Sequence, residues 1–244
     1  RTQALNSALE KAQTERDAMR ALELAASDGI PPVGPSALLA RDPWTAGPRL
    51  FATHCATCHR YDGHDSLGVV PVEPATSSDL ADFASRQWIR GLLTNPMDDR
   101  YFGRMRTPDG DPAHTRMSRF IDEIMPEGEE ARRSLLADFD AVAVYLAAQS
   151  PLAIRSDAAG TPHDAAILLR GRDVFQRICN ECHSYGGERK GTTHAPEMLG
   201  YGSVEWIELM IAEPDHESRY RATGREPARM LRFKDRLTER ERNM

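Results

Sequence analysis

The pentapeptide Cys55-Ala56-Thr57-Cys58-His59 and its second copy, Cys179-Asn180-Glu181-Cys182-His183, decide the fold of this 244-residue chain. The chain has four cysteines, and the two copies use all of them. Cys-x-x-Cys-His is the attachment signature of haem c: two thiols bond to the vinyl groups of one haem, and the following imidazole binds its iron. The sequence therefore predicts two covalent haems c, attached at Cys55, Cys58, Cys179 and Cys182, with His59 and His183 as iron ligands.

Two other uses of paired cysteines stay open at this point. Two Cys-x-x-Cys pairs can bind zinc, although here the pairs lie far apart and a histidine directly follows each one. A thioredoxin-like redox motif needs a strand before the pair, and the sequence indicates none.

The segments around the two cysteine pairs also repeat, which indicates an internal duplication. A Gly-x-x-x-Phe pattern precedes each pair. A Trp-led apolar segment of helical type follows each pair and ends at a proline, which stops a helix, and a tyrosine follows each proline. The repeated positions are Gly47 and Gly171, Phe51 and Phe175, Trp88 and Trp206, Pro96 and Pro214, and Tyr101 and Tyr220.

A third repeated segment predicts the second axial ligand of each iron. Arg116-Met117-Ser118-Arg119-Phe120 and Arg229-Met230-Leu231-Arg232-Phe233 share four of five residues. We therefore expect Met117 and Met230 to bind iron. The open alternative is that both are ordinary core residues. The rival methionines are Met97, Met105 and Met125 in the first repeat and Met198, Met210 and Met244 in the second.

A strong amphipathic helix is predicted over residues 127–148, where it closes the first repeat. The second repeat offers only a helix start, with Thr238 as N-cap and the Glu241 carboxylate at the third helical position, before the sequence ends at Met244. We expect the chain to be part of a longer polypeptide or complex. Either a helix after Met244 or a partner is then expected to cover the apolar face of residues 171–182.

The predicted fold class is all-α, with two tandem haem-binding domains. Residues 1–46 are predicted to form an N-terminal helix and linker, 47–150 the first domain, 151–164 a linker, and 165–244 a second domain that lacks its closing helix.

Each repeat resembles the small all-helical cytochrome c domain, so the whole chain resembles a dihaem c-type cytochrome. In that family a proline after the haem motif often lends its carbonyl to the iron-binding histidine. Ala195-Pro196-Glu197 looks like that segment. The first repeat has Ser77-Ser78-Asp79 instead, so the carbonyl partner of His59 stays open.

A closer resemblance comes from residues 28–32, 42–51 and 61–64. These segments are similar to the dihaem cytochrome c portion of bacterial cytochrome bc complexes, which oxidise quinol. The resemblance implies a cytochrome b and a Rieske-type protein as upstream partners, and a cytochrome or oxidase downstream.

Iron held by His and Met has no open position for substrate, so we expect electron transfer and no catalysis by the chain itself. The alternatives are a soluble periplasmic dihaem shuttle and a dihaem peroxidase-like enzyme. Because haem c is attached outside the cytoplasm, we expect the chain on the periplasmic side of a membrane.

Charge and hydropathy limit the remaining partners. The formal net charge of −6 argues against nucleic acid. The apolar run of residues 141–148 is too short to span a bilayer, so membrane association would come through a partner or a segment outside this sequence. Residues 47–150 hold eleven basic and sixteen acidic side chains, which favours a basic partner for that half.

Overall fold

Helices and connecting loops make up the computed structural model, which describes residues 3–106, 109–150, 165–188, 195–220 and 230–244. Within these ranges there are isolated bridges but no strand, in agreement with the predicted all-α class. The contacts divide the chain into two units, residues 1–81 with Met244 and residues 82–243. This division differs from the predicted domain boundaries, which stay a prediction, and the predicted linker 151–164 lies outside the described residues.

The first unit begins with three helices that lead to the first cysteine pair. They are α1 (Gln3–Asp28), α2 (Ser36–Leu39) and α3 (Pro43–Leu50), and α3 runs directly into a π-helical turn, Phe51–Cys55. The guanidinium of Arg20 on α1 bonds the buried carboxylate of Asp42 at 2.8 Å. This ion pair fixes α1 against the start of α3.

The second unit holds six helices in its described part. They are α4 (Arg86–Thr94), α5 (Arg116–Ile124), α6 (Glu129–Ala147), α7 (Ala165–Ile178), α8 (Val204–Ala212) and α9 (Glu239–Arg242). The Trp-led helices α4 and α8 end just before Pro96 and Pro214, as predicted. At the start of α9, Thr238 and Glu241 form the predicted reciprocal cap.

Helix α6 is the centre of the second unit because it packs against α4 and also against α7. Its buried side chains include Phe139, Val142 and Leu146. Gly171 makes the approach of α7 possible, since a Cβ at that position would lie 2.1 Å from the carbonyl oxygen of Ala141. A larger residue would push the two helices apart.

The packing of α6 corrects one expectation about the second repeat. We expected the face of α7 that carries Gly171 and Phe175 to be covered by a segment after Met244 or by a partner. Instead α6, assigned to the first repeat, covers this face, and Phe175 is buried next to Tyr145. The same helix therefore serves elements of both repeats.

Equivalent residues of the two repeats also meet in the second unit. Phe83 and Tyr201, which precede α4 and α8 at matching positions, have ring centroids 5.3 Å apart. A Cβ at Gly202 would lie 2.2 Å from the Cβ of Ala84, its counterpart in the first repeat. The duplicated segments thus pack against each other around a small aromatic cluster.

No helix among the described residues is long and apolar enough to cross a membrane.

Candidate haem-binding sites

Both cysteine pairs lie in the same closed turn at the end of a helix. In the first, the backbone N–H groups of Cys58 and His59 donate to the carbonyl of Cys55 at 3.1 and 2.9 Å. In the second, Cys182 and His183 donate to the carbonyl of Cys179 at the same two distances. The turn groups two thiols and one imidazole in a short segment, as haem attachment requires.

The imidazole of each motif is held by a backbone carbonyl. Nδ1 of His183 lies 2.9 Å from the carbonyl oxygen of Pro196, which agrees with the expected role of that proline. Nδ1 of His59 lies 2.8 Å from the carbonyl oxygen of Ser78, and this hydrogen bond answers the question that the sequence left open. Because a carbonyl only accepts, Nδ1 carries the proton in both rings, and Nε2 keeps its lone pair for a metal.

A carboxylate directly follows each carbonyl residue and accepts three backbone hydrogen bonds. Asp79 accepts from the N–H groups of Asp62, Gly63 and Ala81 at 2.7–3.0 Å. Glu197 accepts from Gly186, Gly187 and Leu199 at 2.9–3.0 Å. Each carboxylate therefore ties the carbonyl that orients the histidine to the turn after the cysteine pair.

Sequence reasoning missed these two carboxylates, although the signal was present. The residues after the second cysteine are His59-Arg60-Tyr61-Asp62-Gly63 and His183-Ser184-Tyr185-Gly186-Gly187. Both fit His-x-Tyr-x-Gly, and an acidic residue stands one position after each carbonyl residue. Aligning these positions would have paired Asp79 with Glu197.

Burial sets the protonation states in both sites. It lowers the pKa of His59 and of His183, against a smaller raising effect of the carbonyl hydrogen bonds, so both rings are neutral near pH 7. Burial raises the pKa of Cys55 to about 11 and that of Cys179 to about 12. Such thiols lack the lowered pKa of a thioredoxin-like redox motif.

The zinc alternative finds no support in the side-chain arrangement. All four cysteines are described, and none of them forms a disulfide. Across the described ranges, His, Cys, Asp and Glu side chains nowhere gather in a group of three or more that could hold a metal ion.

The two Trp-led helices begin alike, and one of them, α8, contacts the second site. The hydroxyls of Ser85 and Ser203 each accept from the N–H of a tryptophan, Trp88 or Trp206, at 3.1 Å. Nε1 of Trp206 then donates to the carbonyl of Glu197 at 2.7 Å. Helix α8 is therefore connected directly to the segment that orients His183.

One repeat pairing from the sequence is wrong by a single residue. Tyr101 packs edge-on against Trp88 with centroids 5.2 Å apart, and in the second repeat the guanidinium of Arg219 takes this place, 4.4 Å from the centre of the Trp206 ring. Tyr220, which the sequence paired with Tyr101, matches Phe102 instead, because each donates its N–H to the carbonyl of the helix-ending proline.

The two predicted distal methionines do not share a local structure. Met117 lies in the first turn of α5, after the N-cap Thr115, whereas Met230 lies in an irregular segment before Phe233. The repeated sequence therefore does not give a repeated local structure at the two methionines. The assignment of Met117 and Met230 to iron stays a prediction.

Met125, one of the three rivals of Met117, also lies next to α5. It terminates α5 in an extended conformation, precedes Pro126, and lies four residues before α6. Both methionines are partly buried against the core of the second unit. Met210 packs on the same core from α8, as the sequence indicated.

Residues 44–149, a little under half of the chain, match the family model of cytochrome c. The match supports a c-type cytochrome with covalent haem and haem-based electron transfer. The matched residues include the first pentapeptide but not the second. No solved structure gives a significant match to the chain.

Proposed function

We propose that this chain is an electron-transfer protein that carries two covalent haems c, one at each cysteine pair. The observation that carries the proposal is the duplicated site. Each copy has the same cysteine turn, a histidine held at Nδ1 by a carbonyl, and a carboxylate that fixes that carbonyl. The match of residues 44–149 to cytochrome c supports the first site, and the repeated geometry extends the argument to the second.

The chain's own residues have distinct tasks in this proposal. When bound, a haem c supplies one-electron redox chemistry. Cys55 and Cys58 would hold it in the first site, and Cys179 and Cys182 in the second. His59 and His183 would bind iron through Nε2, because Nδ1 is already engaged. The carbonyl acceptors increase the basicity of each ring and fix its orientation.

The distal ligands complete the proposal. Met230 would bind the iron of the second site, and Met117 the iron of the first. The variant Met125→Ala tests the choice of Met117. A methionine thioether, together with the histidine, would raise the reduction potential of a bound haem iron and leave it no open position for substrate. The chain would then exchange electrons without binding a substrate, which separates it from a peroxidase-like enzyme.

We further propose that the electrons come from a quinol-oxidising cytochrome bc-type complex, and that the chain functions on the periplasmic side of the membrane. Support comes from the resemblance of residues 28–32 and 42–51. A soluble periplasmic shuttle is the second candidate. Purification of the native protein tests the two, because a complex partner would bring a cytochrome b with it and a shuttle would not.

A redox titration followed by optical spectra tests the proposed activity. We expect two reversible one-electron steps and a weak near-infrared band from sulfur-to-iron charge transfer at each haem. Met117→Ala and Met125→Ala are a matched pair, and only the variant that removes a ligand should lose half of that band. Peroxide-dependent oxidation of a reporter dye by the wild-type protein would contradict the proposal.

A further inference from the structure

The segment between the histidine and its carbonyl partner is longer in the first site than in the second. Nineteen positions separate His59 from its carbonyl partner Ser78, whereas thirteen separate His183 from Pro196. The six additional residues fall between the turn after the histidine and the carbonyl segment. The longer segment of the first site contains residues 67–74, Leu-Gly-Val-Val-Pro-Val-Glu-Pro. We name these eight residues, which carry one charged side chain, the valine loop.

The valine loop presents its apolar side chains to solvent. Val69, Val70 and Val72 are 41%, 50% and 98% exposed. A single exposed valine is ordinary, but three within four residues form an apolar patch beside a haem-attachment segment. Val72 contributes almost no buried area to the first unit, so packing within that unit does not explain its apolar side chain.

The loop is held in one conformation rather than left to move. The carboxylate of Asp65 accepts from the N–H groups of Leu67 and Val69 at 2.9 Å, and the N–H of Asp65 donates to the carbonyl of Val69 at 2.9 Å. Pro71 and Pro74 restrict the backbone further. A preorganised apolar surface loses little conformational entropy when a partner binds it.

Arg60 connects this loop to the haem-attachment turn. Its side chain is buried, with the residue only 4% exposed, and its guanidinium donates to the carbonyls of Ala56, His59 and Glu73. The first two carbonyls belong to the cysteine motif, and the third belongs to the valine loop. A protein that touches the loop would therefore bind next to the first site.

The rim of the loop is acidic. Residues 60–79 hold four acidic side chains and one basic one, the buried Arg60. Asp62 and Glu73 are exposed, and Asp65 and Asp79 lie partly buried between them. Negative charges around an apolar patch favour a partner whose own patch is surrounded by positive charges, because complementary potentials steer the encounter.

We propose that the valine loop is the docking surface of the first site for a redox protein whose apolar patch is ringed by lysine or arginine. This inference rests on the proposed electron-transfer function and adds the site and chemistry of the partner. The small area suits a short-lived redox encounter, which buries less surface than a stable complex. Under this proposal the first haem exchanges electrons with the basic partner.

Stopped-flow electron exchange tests the proposal, with a small basic cytochrome c and an acidic cytochrome as alternative protein probes. The double variant Val70→Ser/Val72→Ser removes apolar surface and leaves the charge unchanged. We expect its second-order rate constant with the basic probe to fall by about tenfold. Asp62→Asn/Glu73→Gln should weaken the dependence of the wild-type rate on ionic strength.

Two controls separate docking from other effects. Ile167→Ser/Leu169→Ser changes two residues on α7 that are 40% and 52% exposed, and it should leave the rate unchanged. A small cobalt complex, which needs no docking surface, should oxidise wild type and the valine variant equally fast.

The outcomes are distinct for the two proposals. An unchanged rate for the valine variant, an equal fall in the α7 variant, or a preference of wild type for the acidic probe would overturn the docking proposal. None of these results touches the proposed function while the variants keep the wild-type haem content and reduction potentials. A wild-type protein that takes up no haem would overturn the proposed function itself.

Discussion

The two cysteine motifs share their backbone hydrogen bonds and differ in their surroundings. Each motif uses carbonyl and N–H groups to close the turn, orient the imidazole and bind a carboxylate. The position after the histidine differs, with the buried Arg60 in one site and Ser184 in the other, and so does the length of the following loop. Main-chain groups close the turn and hold the imidazole in both sites, so the residue after the histidine and the length of the loop can differ without changing these hydrogen bonds.

The largest difference in stability between equivalent substitutions is expected for Gly171→Val compared with Gly47→Val. Both glycines begin the Gly-x-x-x-Phe pattern. Valine has a higher helix propensity than glycine at either position, but only Gly47 precedes a proline, Pro48, which disfavours a helical residue with a Cβ before it. A Cβ at residue 171 would lie 2.1 Å from the carbonyl of Ala141, in the middle of the α6–α7 contact, whereas one at residue 47 would meet the carbonyl of the terminal Met244 at 2.9 Å. We expect Gly171→Val to cost about 3 kcal/mol.

Urea unfolding of both valine variants measures that difference. Gly47→Val should lose less than Gly171→Val, about 1 kcal/mol, because the terminal Met244 can move aside and only the strain before Pro48 remains. Equal losses for the two variants would show that α7 does not approach α6 at Gly171 as closely as described.

Gly202→Ala and Ala84→Gly test the contact between the two repeats, because residues 84 and 202 occupy equivalent positions and lie against each other. Gly202 has φ of +76° and its Cβ would overlap that of Ala84, so alanine there should cost about 2 kcal/mol. Ala84 itself has φ of +64°. Ala84→Gly should change stability by less than about 1 kcal/mol, since backbone relief offsets the lost methyl contact.

Thermal unfolding of these two variants at one pH provides the check. A Gly202→Ala protein as stable as wild type would show that the segments do not approach as closely as described.

Low pH should reduce the stability of the protein near the second site, because the Glu197 carboxylate becomes protonated. Burial raises the pKa of this carboxyl, but hydrogen bonds from Leu199, Gly187, Ser184 and Gly186 together lower it more, so the net pKa lies below the ordinary value. A lowered folded pKa stabilises the protein above the unfolded value of about 4.3, and this contribution is lost as the pH falls through the folded pKa.

Glu197→Gln is the matched variant for that pH effect. An amide loses one acceptor oxygen, so we expect a cost of about 1–3 kcal/mol near neutral pH. Stability measured from pH 6 down to pH 3 should then fall less steeply in the variant than in wild type. Parallel curves would show that Glu197 does not carry the acid sensitivity.

Trp206→Phe should give the smallest effect, because it removes one hydrogen bond and keeps an aromatic ring under Arg219. The carbonyl of Glu197 loses its donor at 2.7 Å, which should cost about 1 kcal/mol. Differential scanning calorimetry of the variant checks this value, with Leu209→Met in the same helix as a conservative comparison. A loss several times larger would assign Trp206 a wider structural role.

Local signals in the sequence predicted local structure well. Helices α4 and α8 end at their prolines, Thr238 caps α9, and Pro196 holds His183, because capping and proline geometry depend on a few neighbouring residues. The carbonyl of Ser78 could not be assigned, since any backbone carbonyl satisfies a histidine and only the folded loop selects one.

Long-range packing was harder to predict for a physical reason. The same Gly-x-x-x-Phe pattern precedes both cysteine pairs, so the pattern does not show which helix covers Gly171. The pairing with α7 follows from tertiary contacts that no pattern states. The methionine segments show the same limit, because Met117 lies in a helix after Thr115 whereas Met230 lies in an irregular segment before Phe233.

Intact-mass spectrometry of the denatured protein tests the central claim most directly. We predict a mass equal to the polypeptide plus two haems. Cys55→Ala/Cys58→Ala and Cys179→Ala/Cys182→Ala should each retain one haem, since the two sites are built independently from their own main-chain groups. A wild-type mass with one haem or none, or the loss of both haems from either variant, would contradict the account of two separate haem sites.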